Sequence, residues 1–432
     1  MKKILLSILT LTVTTLLWAQ SLSIQEEIYK NPNLSASNSV AYPDPTQAKQ
    51  TPAPYGKKAF YLSHYGRHGS RYLTKTEDYE YLTRVMKQAD KQGKLTTLGK
   101  DVLRRILIID ELAKHRWGDL TEKGAQQHRD IISRMAKNYP QLFKGKSRVE
   151  TRSTLVPRCV LSMTQAVRQL ATINPRLDLS IDASSHDLYY MNYQDRTLRV
   201  VQTFPDSLQH IYDAFCARHW THFNRLMTSL FNDTAYINHQ IDAQQMNYYL
   251  FRMAGSIQNT ELDGKITLFD IFTPDEIYQN WLTANAWWYL GFAHSPLNNG
   301  NQPYTQRNLL RHIIEQADTA IANPQTLVQL RFGHDTMVLP LVCLINLNGF
   351  GVSVSDLEKL VENGWADYRV FPMAANVQFV FYRKNAADND VLVKILLNEK
   401  EATLPLNSSI APYYHWSDVR QYFLDILSLY KD

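Results

Sequence analysis

The stretch Ala59-Phe60-Tyr61-Leu62-Ser63-His64-Tyr65-Gly66-Arg67-His68-Gly69-Ser70-Arg71 decides how the rest of the chain is read. Ala59–Leu62 is a short apolar and aromatic run with the character of a buried strand. Gly66 and Gly69 then bracket an Arg67-His68 pair, and Arg71 follows two residues after the second glycine. Glycines let the backbone come close to a bound group, and guanidinium forks match phosphate oxygens. In open α/β sheets, ligand sites lie beyond the carboxyl ends of strands. A lone Arg-His pair is more often a basic surface turn. Two guanidiniums and an imidazole in one Gly-punctuated turn after a strand point instead to an α/β fold with an anion site.

Two distant segments repeat the pattern of strand, reactive turn and helix. Ser147–Thr151 reads as a strand that runs into Arg152-Ser153-Thr154, with a helix expected over Leu155–Leu170. Thr154 is the expected N-cap, and Pro157 is tolerated in the first turn. Arg158 then projects near free backbone amides that already favour an anion. By itself Arg158 reads as half of an ion pair; after a second strand end it gains weight as a phosphate ligand. Leu327–Phe332 is the third strand, followed by Gly333-His334-Asp335-Thr336 and an apolar helix over about Val338–Leu347. A His-Asp pair can be an ordinary helix cap. In this context His334 suits an anionic oxygen, and Asp335 suits proton supply.

The chain of 432 residues has room for two domains, or for one domain with an insertion. Its 44% hydrophobic and 20% charged content is that of a globular protein. A net charge of +5 suits an anionic small molecule, and no Lys/Arg-rich block points to nucleic acid. Residues 1–19 read as a bacterial export signal. Lys2 and Lys3 precede the apolar stretch Ile4–Trp18, Ala19 marks the cut, and no cysteine stands near it for lipid attachment. The apolar run is short for a spanning helix, so the mature chain is expected in the periplasm or outside the cell, without stable membrane insertion.

Residues 20–55 are rich in Ser, Asn, Pro, Ala and Gln and read as an extended lead-in. Thr74–Glu77 has capping-box spacing for a helix to about Gln92; further helices are expected over Thr97–Arg116 and from Leu120 to near Tyr139. Between residues 174 and 320 the pattern becomes mostly helical, around Leu198–Leu230, Ala243–Ile257 and Pro274–Gly291. This reads as a helical insertion dividing an α/β domain formed by residues 56–173 and 321–432. Trp281, Trp287 and Trp288 read as core packing rather than a ring-binding platform, and His186 and His239 as structural or surface groups. Val377–Phe381 and Val391–Ile395 form an expected antiparallel hairpin, and Ser417–Lys431 a terminal helix. Cys159, Cys216 and Cys343 allow at most one internal bridge and show no metal-ligand spacing.

The three turns together supply what phosphomonoester hydrolysis needs: charge neutralisation, an in-line nucleophile and a proton for the departing alcohol. On this reading Arg67, Arg71, Arg158 and His334 bind the phosphoryl group, His68 attacks phosphorus, and Asp335 protonates the leaving oxygen. The reaction calls for no metal or other cofactor, and no carboxylate cluster that would hold a metal is evident.

Arg67-His68-Gly69-Ser70-Arg71, Leu120-Thr121-x-x-Gly124-x-x-Gln127, Arg152-Ser153-Thr154 leading to Arg158, and His334-Asp335 occur in the order seen in histidine acid phosphatases, which the chain resembles. The resemblance implies an α/β fold, with a central mixed sheet flanked by helices and an inserted, mostly α-helical domain. It also implies a phosphohistidine nucleophile at His68. Tyr72, Arg158-Cys159, Phe332-Gly333-His334, Leu339-Pro340-Leu341 and Leu397-Asn398-Glu399-Lys400 look most like the multiple inositol-polyphosphate phosphatases and phytases. Two positions depart from that subgroup: His334-Asp335 stands where His-Ala-Glu is usual, and Leu73 where Pro is usual.

The expected activity is therefore hydrolysis of inositol polyphosphates. A broad acid phosphatase acting on sugar phosphates or nucleotides is the near alternative. A phosphoglycerate mutase-like activity shares the Arg-His-Gly start, but the export signal, Arg71 and the His-Asp turn argue against it. A non-catalytic polyanion- or glycan-binding exported protein is the alternative from another class.

Overall fold

The computed structural model describes residues 22–430 apart from 46–48, 193–197, 199–203, 221–222, 324 and 326. The expected export signal at 1–19 lies outside the described residues. Eight strands form one mixed sheet: β1 (Lys58–Arg67), β2 (Arg148–Ser153), β3 (Asp178–Asp182), β4 (Leu327–Gly333), β5 (Asn376–Arg383), β6 (Leu392–Leu397), β7 (Lys400–Ala402) and β8 (Tyr413–His415). Their order is β3-β2-β4-β1-β5-β6-β7, with β8 also paired to β6. The half from β3 to β1 is parallel. From β1 onward every pairing is antiparallel, including the expected hairpin of β5 and β6.

β1 stands where the two halves meet. It is buried from Ala59 to Arg67, as a central strand covered on both faces must be. One face of the sheet presents Leu62, Val149, Leu330 and Phe332 to α4 (Glu122–Asn138) and α5 (Pro157–Ile173), which contribute Ile132, Met135, Met163 and Leu170. On the other face Tyr61 and Tyr65 join the larger core, which takes in the helices of the middle of the chain. Because β4 lies between β1 and β2, three strand ends that are distant in sequence come side by side. Arg67 is in register with Gly333, and Ser153 with Phe332.

Several local expectations are corrected. The lead-in is not extended in its first part: Ile24–Lys30 is a helix, α1, and Pro32–Ser39 is a run of 3-10 turns. Ser23 and Glu26 form a capping box, Ile24 and Ile28 turn inward from one face of the helix, and the Asn31 side chain caps the turn that Pro32 begins. Thr74 does not cap α2 (Glu77–Lys91), which precedes α3 (Thr97–Ala113); Thr76 occupies that place without a side-chain bond, and Asp78 accepts from the Lys75 amide. The stretch after Asn174 begins with a strand, because Asp178–Asp182 extends the sheet edge beside β2 before the helices start.

Helices then occupy Asp206–His219, Phe223–Leu230, Ala243–Ser256, Pro274–Phe292 and Arg307–Ala322. Trp281 is fully buried, with its Nε1 donating to Asp367, and Trp288 packs on Phe371, in keeping with a core role. His186 and His239 are exposed. All three cysteines are buried and free. No helix among the described residues is long and apolar enough to cross a membrane.

Candidate active site

The loop after β1 is fixed by backbone bonds to both neighbouring strand ends. The Arg67 amide donates to Ala375 O at 2.7 Å, the His68 amide to Gly333 O at 2.9 Å, and the Ala374 amide to His68 O at 2.9 Å. The next two amides are taken by side chains: Gly69 N donates to Ser162 Oγ at 3.1 Å, and Ser70 N to Gln127 Oε1 at 2.9 Å. Ser162 stands one turn beyond Arg158 on α5 and donates to the Arg158 carbonyl. It thus ties the loop of His68 to the helix that carries Arg158.

α4 packs its first turn directly on the loop. Thr121 caps that helix, and its amide donates to Ser70 O at 2.9 Å. A methyl group on Gly69 would lie 2.4 Å from Gly124 O, and one on Gly124 would lie 2.2 Å from Ser70 O. Neither residue has room for a side chain. The Leu-Thr-x-x-Gly-x-x-Gln pattern is thereby explained as cap, close approach and loop clamp.

His68 is buried, and its Nδ1 lies 2.9 Å from the carbonyl of Gly69. A carbonyl only accepts, so Nδ1 carries the proton and Nε2 keeps its lone pair. Burial, followed by Arg67, Arg158, Arg71 and His334, holds the imidazole well below its ordinary pKa. The ring is therefore neutral, with a free lone pair on Nε2, well into acidic solution.

Three guanidiniums surround it. Arg67, fully buried, donates from Nη1 to Phe371 O at 2.8 Å and from Nη2 to Asn38 O at 2.7 Å, and pairs with Asp335 Oδ2 at 2.8 Å. Arg71 donates to Tyr72 O at 2.9 Å, and burial together with Arg67 and Arg158 lowers its pKa to about 9. Arg158 occupies the second position of α5, just after Pro157. The Nε atoms of all three arginines are buried without a hydrogen-bond partner. Arg71 lies in the field of Arg67 and Arg158, and Arg67 in that of Arg158, with the Asp335 carboxylate facing them, so the cluster keeps an excess of positive charge suited to a multiply charged oxyanion.

His334 follows β4, with its ring centroid 6.0 Å from that of His68. Its Nε2 is 3.1 Å from Thr154 Oγ1, and burial lowers its pKa to about 4. Thr154 is thus not the N-cap of α5; that place belongs to Val156, and the threonine hydroxyl is turned to His334. Asp335 opens the next helix, Asp335–Leu344, and accepts from the Thr336 amide at 2.9 Å. Burial raises the pKa of its carboxyl, but Arg67, Arg71 and His334 outweigh that and hold it below the usual value.

The structure thus brings Arg67, His68, Arg71, Arg158, His334 and Asp335 together at the carboxyl ends of β1, β2 and β4. Sequence reasoning did not reach Asn38, whose amide Nδ2 lies 3.5 Å from Asp335 Oδ2, nor Ser162 and Asn259. Asn259 accepts from the Ser70 hydroxyl at 2.6 Å. For Ser162 a signal existed, since a serine four residues after Arg158 lies on the same helix face. Asn38 and Asn259 belong to polar segments without periodicity. Among the described residues, no group of three or more His, Cys, Asp or Glu is placed to hold a metal.

The chain is similar to several known proteins. The family model described as histidine phosphatase superfamily (branch 2) matches residues 66–398. The chain is 24% identical over 438 residues to human multiple inositol polyphosphate phosphatase 1, covering 92% of this chain and 84% of that protein. Among solved structures, the multiple inositol polyphosphate phosphatase of Bifidobacterium longum in complex with inositol hexasulfate superposes with a TM-score of 0.71 at 16% identity, covering 89% of this chain and 96% of that one. A phytase from D. castellii gives a TM-score of 0.68 at 14% identity, covering 96% and 89% respectively.

Proposed function

We propose a reaction for this protein from one premise: the chain belongs to the histidine phosphatase superfamily, branch 2, and is a phosphoric monoester hydrolase. The substrate class is inositol polyphosphates, and the reaction passes through a phosphohistidine at His68. The observation that carries this reading is the clustering of the Arg67, Arg71 and Arg158 guanidiniums around a buried, neutral imidazole. The likeness to human multiple inositol polyphosphate phosphatase 1 over most of both chains supports the substrate class.

In the first half-reaction the guanidiniums and His334 hold the phosphoryl oxygens. His68 Nε2 attacks phosphorus in line as the bond to the ester oxygen breaks, and Asp335 gives its proton to that oxygen. In the second, the Asp335 carboxylate takes a proton from water, the oxygen of that water attacks phosphorus, and the bond to His68 breaks. Inorganic phosphate leaves, with His68 neutral and Asp335 protonated as at the start. The chain acts in the periplasm or outside the cell, where the export signal of residues 1–19 would deliver it.

Phosphate release by the purified mature chain from inositol hexakisphosphate, a sugar phosphate and an aryl phosphate tests the proposal, with His68→Ala as control. Preferential release from the inositol ester that vanishes in His68→Ala is the expected result. Equal release from all three would replace this reading with a broad acid phosphatase, and no release from any would leave a binding protein.

A further inference from the structure

Residues 37–40 precede the stretch matched by the family model, yet Asn38, Ser39 and Val40 are tied to the catalytic neighbourhood and Ser37 anchors them to the core. The Ser37 hydroxyl donates to the buried Asp367 carboxylate. Asn38 O accepts from Arg67, and its side-chain amide faces Asp335 Oδ2 at 3.5 Å. Ser39 O accepts from Asn259 Nδ2 at 2.6 Å, and Asn259 in turn accepts from Ser70 beside the nucleophile. Val40 O accepts from the Met373 amide at 2.8 Å, in the segment that also receives Arg67 Nη1 through Phe371 O.

Residues 37–40 thus form a strap, and it carries an unusual backbone. Ser37 has φ 52° and ψ −121°, outside the regions a residue with a Cβ adopts readily. Such a conformation persists only where the surroundings over-determine it, and such places cluster at functional sites. Here the turn at Ser37 is what directs the next residue, Asn38, at the Arg67–Asp335 pair.

We propose that Asn38 is a positioning residue for Asp335, its amide holding the carboxylate that the reaction uses as acid and base. This rests on the phosphatase reading given above. Asp335 is faced by Arg67 and Tyr65 from β1, Arg71 from the loop, Cys159 from α5 and His334 beside it. All of these are titratable. Asn38 is a neutral side chain in the same place, so its removal changes hydrogen bonding to Asp335 without changing the charge of the site. An amide that donates to a carboxylate favours the ionised form, so losing it raises the carboxyl pKa. A proton donor with a raised pKa stays competent to higher pH.

The test is the pH dependence of kcat/KM for an alkyl phosphate, whose leaving group needs a proton, and an aryl phosphate, whose leaving group does not. In Asn38→Ala the alkaline limb for the alkyl ester moves up by about half a pH unit, while the aryl profile stays in place. Asn38→Asp sets a second carboxylate against Asp335 and moves the limb further in the same direction. Unmoved limbs in both variants, or an equal fold-loss on both esters without a shift, would overturn the proposal. A wild-type chain that released no phosphate from either ester would sink the phosphatase reading first, and this one with it.

Discussion

Arg67 Nη2 and Asp335 Oδ2 lie 2.8 Å apart, joining the last residue of β1 to the first residue of the helix after β4. The pair joins a proposed phosphate ligand to the proposed proton donor, and its charge balance changes when an anion arrives. With the guanidiniums turned to Asp335, the carboxyl pKa is held low. A bound polyanion shares those guanidiniums and adds negative charge beside the carboxyl, so the pKa rises. The site therefore gains a proton together with its ligand.

Inositol hexasulfate is a suitable probe, because its sulfate esters have no proton of their own to release in this range. Calorimetric titration at about pH 4–5 in buffers of different ionisation heat is expected to show net proton uptake by the wild-type chain, and less by Asp335→Asn. Equal uptake by both would assign the proton to another group. In turnover, Asp335→Asn should slow alkyl phosphates by about 10²-fold or more and aryl phosphates much less. Equal losses on both would remove Asp335 as the donor.

Ser162→Ala leaves the Gly69 amide buried without its acceptor. An unsatisfied buried donor costs about 1–3 kcal/mol. Because Gly69 adjoins His68, both urea stability and kcat/KM are expected to fall, the latter by about tenfold. A variant with wild-type kinetics would show that the loop keeps its geometry without the tie to α5.

Asp367 gives the fold a pH dependence of its own. Burial raises its pKa to about 6, despite hydrogen bonds from Ser37, Trp281 and the Tyr368 amide. The folded chain thus holds a proton at this position between about pH 4 and 6, where the unfolded chain has released it. The associated stability is fully present below about pH 4 and is lost as pH rises through 6. It amounts to at most about 3 kcal/mol. Urea midpoints at pH 4.5 and 7.5 should therefore decline more in the wild type than in Asp367→Asn. Parallel declines would mean that another group is responsible.

The parts of the site that lie on strands and helix starts were legible in the sequence. Arg67-His68 and His334-Asp335 stand at the ends of strands with apolar runs, Arg158 comes after the more polar β2, and the parallel order β2-β4-β1 makes those three strand ends neighbours. Long apolar runs and glycine spacing carry that information because they reflect backbone geometry and burial. Thr154 was misread because a hydroxyl before a helix can cap it or turn elsewhere, and only the nearness of His334 decides between the two. The strap at 37–40 was hidden for a different reason. Short polar side chains that bond to local backbone produce turns without apolar periodicity, so Ser, Asn and Pro look the same in a packed turn as in a loose one. The Ser23 and Glu26 capping box and the Ile24 and Ile28 pair were visible signals that composition masked.

The amides of Arg67 and His68 are bonded to the carbonyls of Ala375 and Gly333, beside the two strands that flank β1. A segment stitched on both sides in this way cannot fray while the sheet stays whole, so its amide protons exchange with solvent only when the sheet itself opens. The proposed nucleophile is consequently expected to have no private route to inactivation. Activity lost on heating should disappear at the temperature and rate at which the central sheet unfolds, with no earlier phase in which the enzyme is folded but dead.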